Sequence, residues 1–377
     1  MLGEIRISLR AMRNNAEALA RLVGAQRAAF VLKSNAYGHG IAKTGLALEP
    51  FARYLCVYCV EEAAALRDAG VRGPILVLGP VPPDSLDAAL AADAEIALWD
   101  TRSFFRDAAA AARKRSTTLR VHVKVNTGLN RFGLEPADVV DAIEDYLRVP
   151  EVRIAGIFSH LSSAEEIDSP YTMEQLARFE RAVAQSEPVM KRRAAEPLRH
   201  IAASAAAMLW PQTRLDLCRF GIALYGLWPS AATREAMGKE ALALEPALSM
   251  HSSLVVTRTI AAGEPVGYGN TFVAQAPTAI GVVPLGYADG IPRALGNRGA
   301  FLVEGVRCPI VGRVAMNTTT LDVSAAAAAR AGSAVTLIGK QEEERVGADD
   351  WAQWAQTIAY EIVARLPESL PRKYLGD

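Results

Sequence analysis

A chain of 377 residues, half of them hydrophobic and fewer than a quarter charged, can bury a sizeable core in two domains or one large barrel with an appendage. The 41 basic and 41 acidic side chains cancel, which removes the electrostatic ground for expecting nucleic acid or an anionic membrane as partner. Residues 1–10 carry charges and no apolar run, and no stretch approaches the ~20 apolar residues of a membrane helix, so the cytoplasm is the expected compartment.

In chain order, apolar runs alternate with Ala- and Arg-rich amphipathic stretches from about residue 10 to 235. Strands are predicted at Ala29–Lys33, Tyr54–Val60, Ile75–Leu78, Glu95–Leu98, Leu119–Val125, Ile154–His160, His200–Ala203 and Leu215–Ala223. Patterns such as Glu61–Ala69 and Thr101–Arg113 suit helices with one apolar face. An open doubly wound sheet would also alternate, but eight β-then-α units are what a (β/α)8 TIM-type barrel requires. The run Lys191-Arg192-Arg193 reads as solvated surface. Cys56 and Cys59 have a C-x2-C spacing, but Cys218 and Cys308 supply no second pair. A buried strand with small apolar thiols is expected there, with neither a metal site nor a disulfide framework.

After about residue 236 the texture changes. Leu254–Ile260, Ile280–Leu285, Phe301–Glu304, Ile310–Val314, Thr319–Val323 and Val335–Ile338 are separated by Gly, Pro and Asn turns, as in a mostly antiparallel β domain. One helix is expected within it, with Asp349 as cap and Trp351, Trp354, Ile358 and Ile362 at helical spacing. The division is therefore a barrel over 10–235 and a β domain over 236–377, with residues 1–9 a strand that can join the latter.

A barrel gathers reactive side chains at the C-terminal ends of its strands. Lys33 ends the first predicted strand, Lys124 and Arg131 flank the turn after the fifth, and His160 ends the sixth. Ser204 follows the seventh, and Arg219 lies in the eighth beside Gly221. A strand-end lysine is commonly a snorkelling surface residue. The polar, Gly-rich loop after Lys33, with Tyr37 four residues on, favours instead a desolvated amine able to condense with an aldehyde cofactor. A tyrosine hydroxyl, Ser204 and the backbone at Gly221 can hold a phosphate.

The segment Lys33-Ser-Asn-Ala-Tyr-Gly-His-Gly40 closely resembles the cofactor-lysine motif of the alanine racemase family. The resemblance continues through Lys124-Val-Asn-Thr-Gly-Leu-Asn-Arg131, Phe158-Ser-His-Leu161, Asp216-Leu-Cys-Arg-Phe-Gly-Ile-Ala-Leu-Tyr-Gly226 and Tyr268-Gly-Asn-Thr271. Gly286-Tyr-Ala-Asp-Gly290, Gly312-Arg-Val-Ala-Met-Asn317, Tyr360-Glu-Ile and Leu370-Pro-Arg-Lys-Tyr374 extend it over nearly the whole chain.

The resemblance implies an enzyme interconverting L- and D-alanine, supplying D-alanine for peptidoglycan, as a homodimer with shared active sites. It implies pyridoxal 5'-phosphate on Lys33, with the phosphate held by Tyr37, Ser204, Gly221, Ile222 and Tyr360. Arg219 matches the residue facing the pyridine nitrogen, with His160 behind it. Tyr268 matches a second catalytic base from the other subunit. Arg131 and the Met316 backbone match contacts to the substrate carboxylate, and Tyr287 matches a residue that narrows the entrance. Lys124 matches a lysine often carbamylated, which would place an anion beside Arg131; a water or chloride bridge is the alternative. Removal of a proton from one face of the substrate and return on the other needs two bases, and a lysine and a tyrosine can serve. An arginine at the ring nitrogen is expected to weaken the electron sink and suppress transamination.

Four positions depart from the family pattern: Asn317 for Asp, Ala203 for Asn, Asn126 for Asp and Ala315 for Cys. They leave substrate preference open, and a broader racemase for serine or larger side chains is the alternative. A decarboxylase of the same architecture leaves the Tyr268 match unexplained, and a non-catalytic cofactor carrier leaves the second domain unexplained.

Overall fold

The computed structural model describes residues 2–99, 104–192, 195–240 and 242–376. The chain forms two compact units: Met12–Ala36 with Ile41–Glu245, and Met1–Ala11 with Tyr37–Gly40 and Pro246–Asp377.

The first strand, β1 (Gly3–Ser8), belongs to the second unit. The larger unit is built on eight strands: β2 (Ala28–Val31), β3 (Tyr54–Val57), β4 (Ile75–Val77), β5 (Ala94–Leu98), β6 (Leu119–Lys124), β7 (Val152–Phe158), β8 (Leu198–His200) and β9 (Cys218–Phe220). Neighbours pair in parallel around the sheet, and β9 returns to β2. Between β8 and β9 the ring closes through the bridge Ala203–Arg219, where the Arg219 N–H donates to Ala202 O at 3.0 Å. This is the expected TIM-type barrel. β2, β3, β4 and β5 are buried along their whole length, as strands covered by helices outside and filled inside must be. Thr101–Ser103 of the helix predicted from 101, and Arg193 of the basic run, lie outside the described residues; the helix is seen over Phe104–Lys114.

The strands stop earlier than their apolar runs. β2 ends at Val31, and Lys33 stands in the turn beyond it, because Ser34 to Tyr37 take φ of +52° to +54°, a left-handed helical turn. Likewise β7 ends at Phe158, two residues before His160.

The smaller unit holds a sheet in the order Val306–Pro309, Ala300–Val303, Ala334–Gln341, Leu248–Ser253, β1, Arg372–Leu375. All its pairings are antiparallel except β1 with Arg372–Leu375. A second sheet joins Val256–Ile260, Thr278–Val283 and Thr319–Asp322. Ile310–Val314, predicted as a strand, makes only the single bridge Ile310–Leu321. The predicted single helix is two, Ala348–Ala355 and Ala359–Ala364. Gln356 turns left-handed (φ +57°) between them, and Gly347, not Asp349, is the N-cap. Trp351 is fully buried against Phe301 and its indole donates to Leu337 O at 3.1 Å.

Candidate functional site

In the larger unit, the buried strand β2 delivers Lys33 to the C-terminal rim. A left-handed turn in non-glycine residues costs roughly 1–2 kcal/mol per residue, so something must hold this one. Glu62 does so: its Oε1 accepts from the N–H groups of Ser34 (2.6 Å) and Asn35 (3.4 Å), and its Oε2 from Tyr58 N–H at 2.8 Å. Asn35 Oδ1 in turn accepts from Ile41 N–H at 2.7 Å. Backbone strain of this kind gathers where function needs a fixed geometry. Lys33 is half-buried, and its amine is pushed below its ordinary pKa by burial and then by the Arg131 charge, against a smaller opposing pull from Glu62.

Lys124 closes β6 and is buried, with Nζ 5.2 Å from the Phe132 ring centre and 5.5 Å from that of Phe158. Burial first, then Arg131, Arg219 and Lys33, lower its pKa to about 8. The exposed Arg131 follows in the loop after β6. Asn126 shapes that loop, accepting from Gly128 N–H (3.2 Å) and Asn130 N–H (3.0 Å) while donating to Glu135 Oε1 at 2.8 Å. An aspartate there would set a carboxylate against Glu135, which accounts for the asparagine.

Arg219 is buried in β9 under the Phe158 ring. Its Nη2 donates to Ser159 O (2.8 Å), Ile201 O (3.2 Å) and, at 3.3 Å, His160 Nδ1. Its Nη1 meets His200 Nδ1 at 2.5 Å, so His200 and not His160 is its nearer imidazole. Burial lowers the guanidinium to about 10, still charged near neutral pH. Burial and the Arg219 charge hold both His160 and His200 well below the ordinary histidine range.

Sequence reasoning missed what lies beyond His200. His200 Nε2 is 2.8 Å from His122 Nδ1, and His122 Nε2 is 2.8 Å from Glu95 Oε2. Tyr54 O–H donates to Glu95 Oε2 at 3.1 Å, and Arg120 Nε to Oε1 at 2.9 Å. All but Arg120 are buried. Burial raises the Glu95 pKa, but the hydrogen bonds from His122 and Arg120 outweigh it and the carboxyl stays below its ordinary value.

Ser204 opens the helix after β8, and its Oγ accepts from Gly221 N–H at 3.0 Å, with Ile222 buried next in the chain. Lys33, Lys124, Arg131, His160, Ser204, Arg219, Gly221 and Ile222 thus all fall in this one unit. Cys56 and Cys218 are buried with thiol pKa values raised by burial, to about 12 and about 11. Among the described residues no cluster could hold a metal ion, and no helix is long and apolar enough to cross a membrane.

The remaining candidates belong to the smaller unit. The rings of Tyr37 and Tyr360 stand 6.2 Å apart, and burial raises the Tyr37 phenol strongly. Gly38 O and His39 O are held by Arg372 (2.8 Å) and Tyr374 (3.2 Å). Tyr268 is 74% exposed in a turn whose Gly267 and Gly269 both have positive φ. Tyr287 and Met316 are also exposed, and their segments are tied by Tyr287 N–H to Ala315 O and Ala288 N–H to Met316 O, both 2.9 Å. Asn317 Nδ2 donates to Asp289 Oδ2 at 3.3 Å, where an aspartate would instead repel.

The alanine racemase N-terminal domain model matches residues 7–229, and the C-terminal domain model 247–374. The alanine racemase of Symbiobacterium thermophilum is 38% identical over 98% of this chain and 96% of its own; that of Sorangium cellulosum is 36% identical, over 98% and 97%. Among solved structures, the alanine racemase of the D-cycloserine producer Streptomyces lavendulae superposes with a TM-score of 0.92 at 35% identity, covering 100% of this chain and 97% of that one. The alanine racemase of Bartonella henselae with covalently bound pyridoxal phosphate superposes at 0.86 and 27% identity, covering 99% of each. With both domains matched in order and relatives aligned end to end, the chain belongs to the alanine racemase family, a family of isomerases.

Proposed function

We propose that this enzyme racemises alanine with pyridoxal phosphate bound through Lys33, as a dimer whose two active sites are shared, and that it supplies D-alanine for peptidoglycan in the cytoplasm. The observation that carries the reading is the crowding of positive charge at the barrel rim. Burial is the largest influence on the Lys124 amine, and the charges of Arg131, Arg219 and Lys33 all add to it in the same direction. Such a site favours anions: a phosphate, a substrate carboxylate and, at Lys124, a carbamate.

The donor set fits the cofactor. A lowered-pKa amine at Lys33 suits bonding to its aldehyde, and Ser204, Gly221, Ile222, Tyr37 and Tyr360 suit its phosphate. Arg219, which can only donate, suits its ring nitrogen, with His160 accepting behind. Bound there, pyridoxal phosphate supplies an electron-withdrawing ring that acidifies the substrate α-proton. Lys33 moves that proton at its Nζ on one face, and the partner's Tyr268 at its Oη on the other. Arg131 and the Met316 N–H orient the substrate carboxylate, and Tyr287 restricts side-chain size.

Incubation with a panel of L-amino acids in D2O, reading α-deuteration and chirality together, tests this reading. Deuterated D-alanine is the expected product. Cofactor binding with no α-exchange would mark a carrier and overturn the proposal, and faster exchange of serine or larger substrates would reassign the specificity.

A further inference from the structure

We propose that Glu95 is a positioning residue that orders the protons of two buried imidazoles, and so fixes Arg219 as a donor toward the cofactor ring. The proton order depends only on the protein. Its consequence for the cofactor rests on the reading of Arg219 given above.

The order follows from counting donors. A guanidinium has hydrogens to give and no lone pair to accept with. At 2.5 Å from Arg219 Nη1, His200 Nδ1 must therefore be the acceptor, and the one proton of His200 sits on Nε2. That proton points at His122 Nδ1, 2.8 Å away, which must accept in turn, so His122 carries its proton on Nε2. That proton meets Glu95 Oε2 at 2.8 Å. Only an acceptor serves at the end of this chain, and a carboxylate accepting also from Tyr54 and Arg120 is one on both oxygens. Were a donor to stand there, His122 and then His200 would turn their protons round, and His200 would present N–H to Arg219 N–H. Every proton thus runs from Arg219 toward Glu95. The geometry is held sterically as well: His200 stacks on Phe158 with ring centres 4.8 Å apart and planes 5° from parallel, and Gly156 leaves the space that the His122 ring fills. With Nη2 occupied by Ser159 O, Ile201 O and His160, and one Nη1 hydrogen by His200, the guanidinium is fixed and its remaining hydrogens are available to a ring nitrogen.

The test is ¹⁵N NMR of histidine- and arginine-labelled protein, with and without pyridoxal phosphate. Expected for both rings are a pyrrole-like Nε2, a pyridine-like Nδ1, and a coupling across the His200 Nε2 to His122 Nδ1 bond. A proton on His200 Nδ1, or a doubly protonated ring, overturns the proposal. Glu95→Gln offers one acceptor and one donor where the carboxylate accepts twice, so Arg120 or His122 must face an N–H, and loss of the single tautomer state is expected. Adding Arg120→Met frees the amide oxygen to turn to His122 and should restore it. Tyr54→Phe, which removes one donor and keeps the carboxylate, should leave both rings unchanged, and supports the proposal even if Glu95→Gln does not fold. Unaltered rings in a folded Glu95→Leu protein, which offers His122 no acceptor at all, overturn it. Finally, adding pyridoxal phosphate should shift the Arg219 side-chain signals. If the tautomers are as derived but Arg219 does not respond to bound cofactor, the proton order stands, while its role toward the cofactor falls together with the assignment of Arg219.

Discussion

Gly156 and His122 are fitted to one another: a Cβ at Gly156 would lie 2.1 Å from His122 Nδ1 and 2.5 Å from Cε1. The glycine takes an ordinary backbone conformation, so its need is for space and not for φ. On the neighbouring strand, where it is the register partner of Gly156, His122 is pinned between His200 and Glu95 and cannot retreat without giving up a hydrogen bond.

Gly156→Ala is accordingly expected to destabilise the fold by about 1–3 kcal/mol, the usual cost of forcing a methyl into a packed interior. It should also displace the His122 ring and weaken its bond to His200. Denaturant titration with histidine NMR checks both; unchanged stability and unchanged ring signals would show that the ring yields freely and that the fit is incidental.

The buried cation at Lys124 has a consequence for pH. Its amine titrates at about 8 in the folded chain against 10.5 ordinarily. Between those values the unfolded chain holds a proton that the folded one lacks, so stability rises with pH from about 8 to 10.5, and the burial penalty is fully present below 8. Lys124→Met should therefore stabilise the CO2-free protein at pH 7, by about 1–3 kcal/mol, with the gap closing toward pH 10.5. Bicarbonate should stabilise the original chain and not the variant, because the neutral amine takes up CO2, releases a proton and becomes an anionic carbamate beside Arg131. A ¹³C carbamate resonance from labelled bicarbonate that disappears in the variant is the direct measurement. Its absence in the original chain leaves an unmodified amine over the two phenylalanine rings.

How much of this was legible differs element by element. The barrel strands were, because continuous buried β runs leave an apolar trace that survives uncertain ends. The left-handed turn after β2 was not: Asn35 alone tolerates positive φ and then as a single residue, Ser, Ala and Tyr carry no mark of it, and the turn's holder, Glu62, is far off in sequence. The helix break at Gln356 was hidden for a different reason, since Trp351, Trp354, Ile358 and Ile362 keep helical spacing straight through it. The polar belt left a faint signal. Arg120, His122 and Lys124 alternate with apolar residues in one strand and so share a face, but nothing local says that this face is the barrel interior. Glu95, Tyr54 and His200 reach the same layer from three other strands, which only the closed ring brings together.

Asn317 departs from its family pattern, and the structure gives it work. It donates to Asp289 Oδ2, which also accepts Gly286 N–H at 2.9 Å and so closes the turn carrying Tyr287. Asn317→Asp would set two carboxylates together in a partly exposed turn. A loss of about 0.5–1.5 kcal/mol is expected, smaller at high salt because exposed charges are screened. Denaturation at low and high ionic strength checks this; a salt-independent loss, or none, would separate Asn317 from the Tyr287 turn.

The sharing of active sites can be decided by complementation. If Lys33 and Tyr268 serve one reaction from opposite subunits, Lys33→Ala and Tyr268→Phe are each expected to be nearly inactive. A hybrid dimer then carries one site with both defects and one with neither. Random reassortment of equal amounts makes half the dimers hybrids, each with one of two sites intact, so about a quarter of the original activity should return. Mixing under conditions that dissociate and reform dimers, with hybrid formation verified by differently tagged chains, gives the measurement. Proven hybrids without recovery would place both bases in the same chain, or remove Tyr268 from the chemistry.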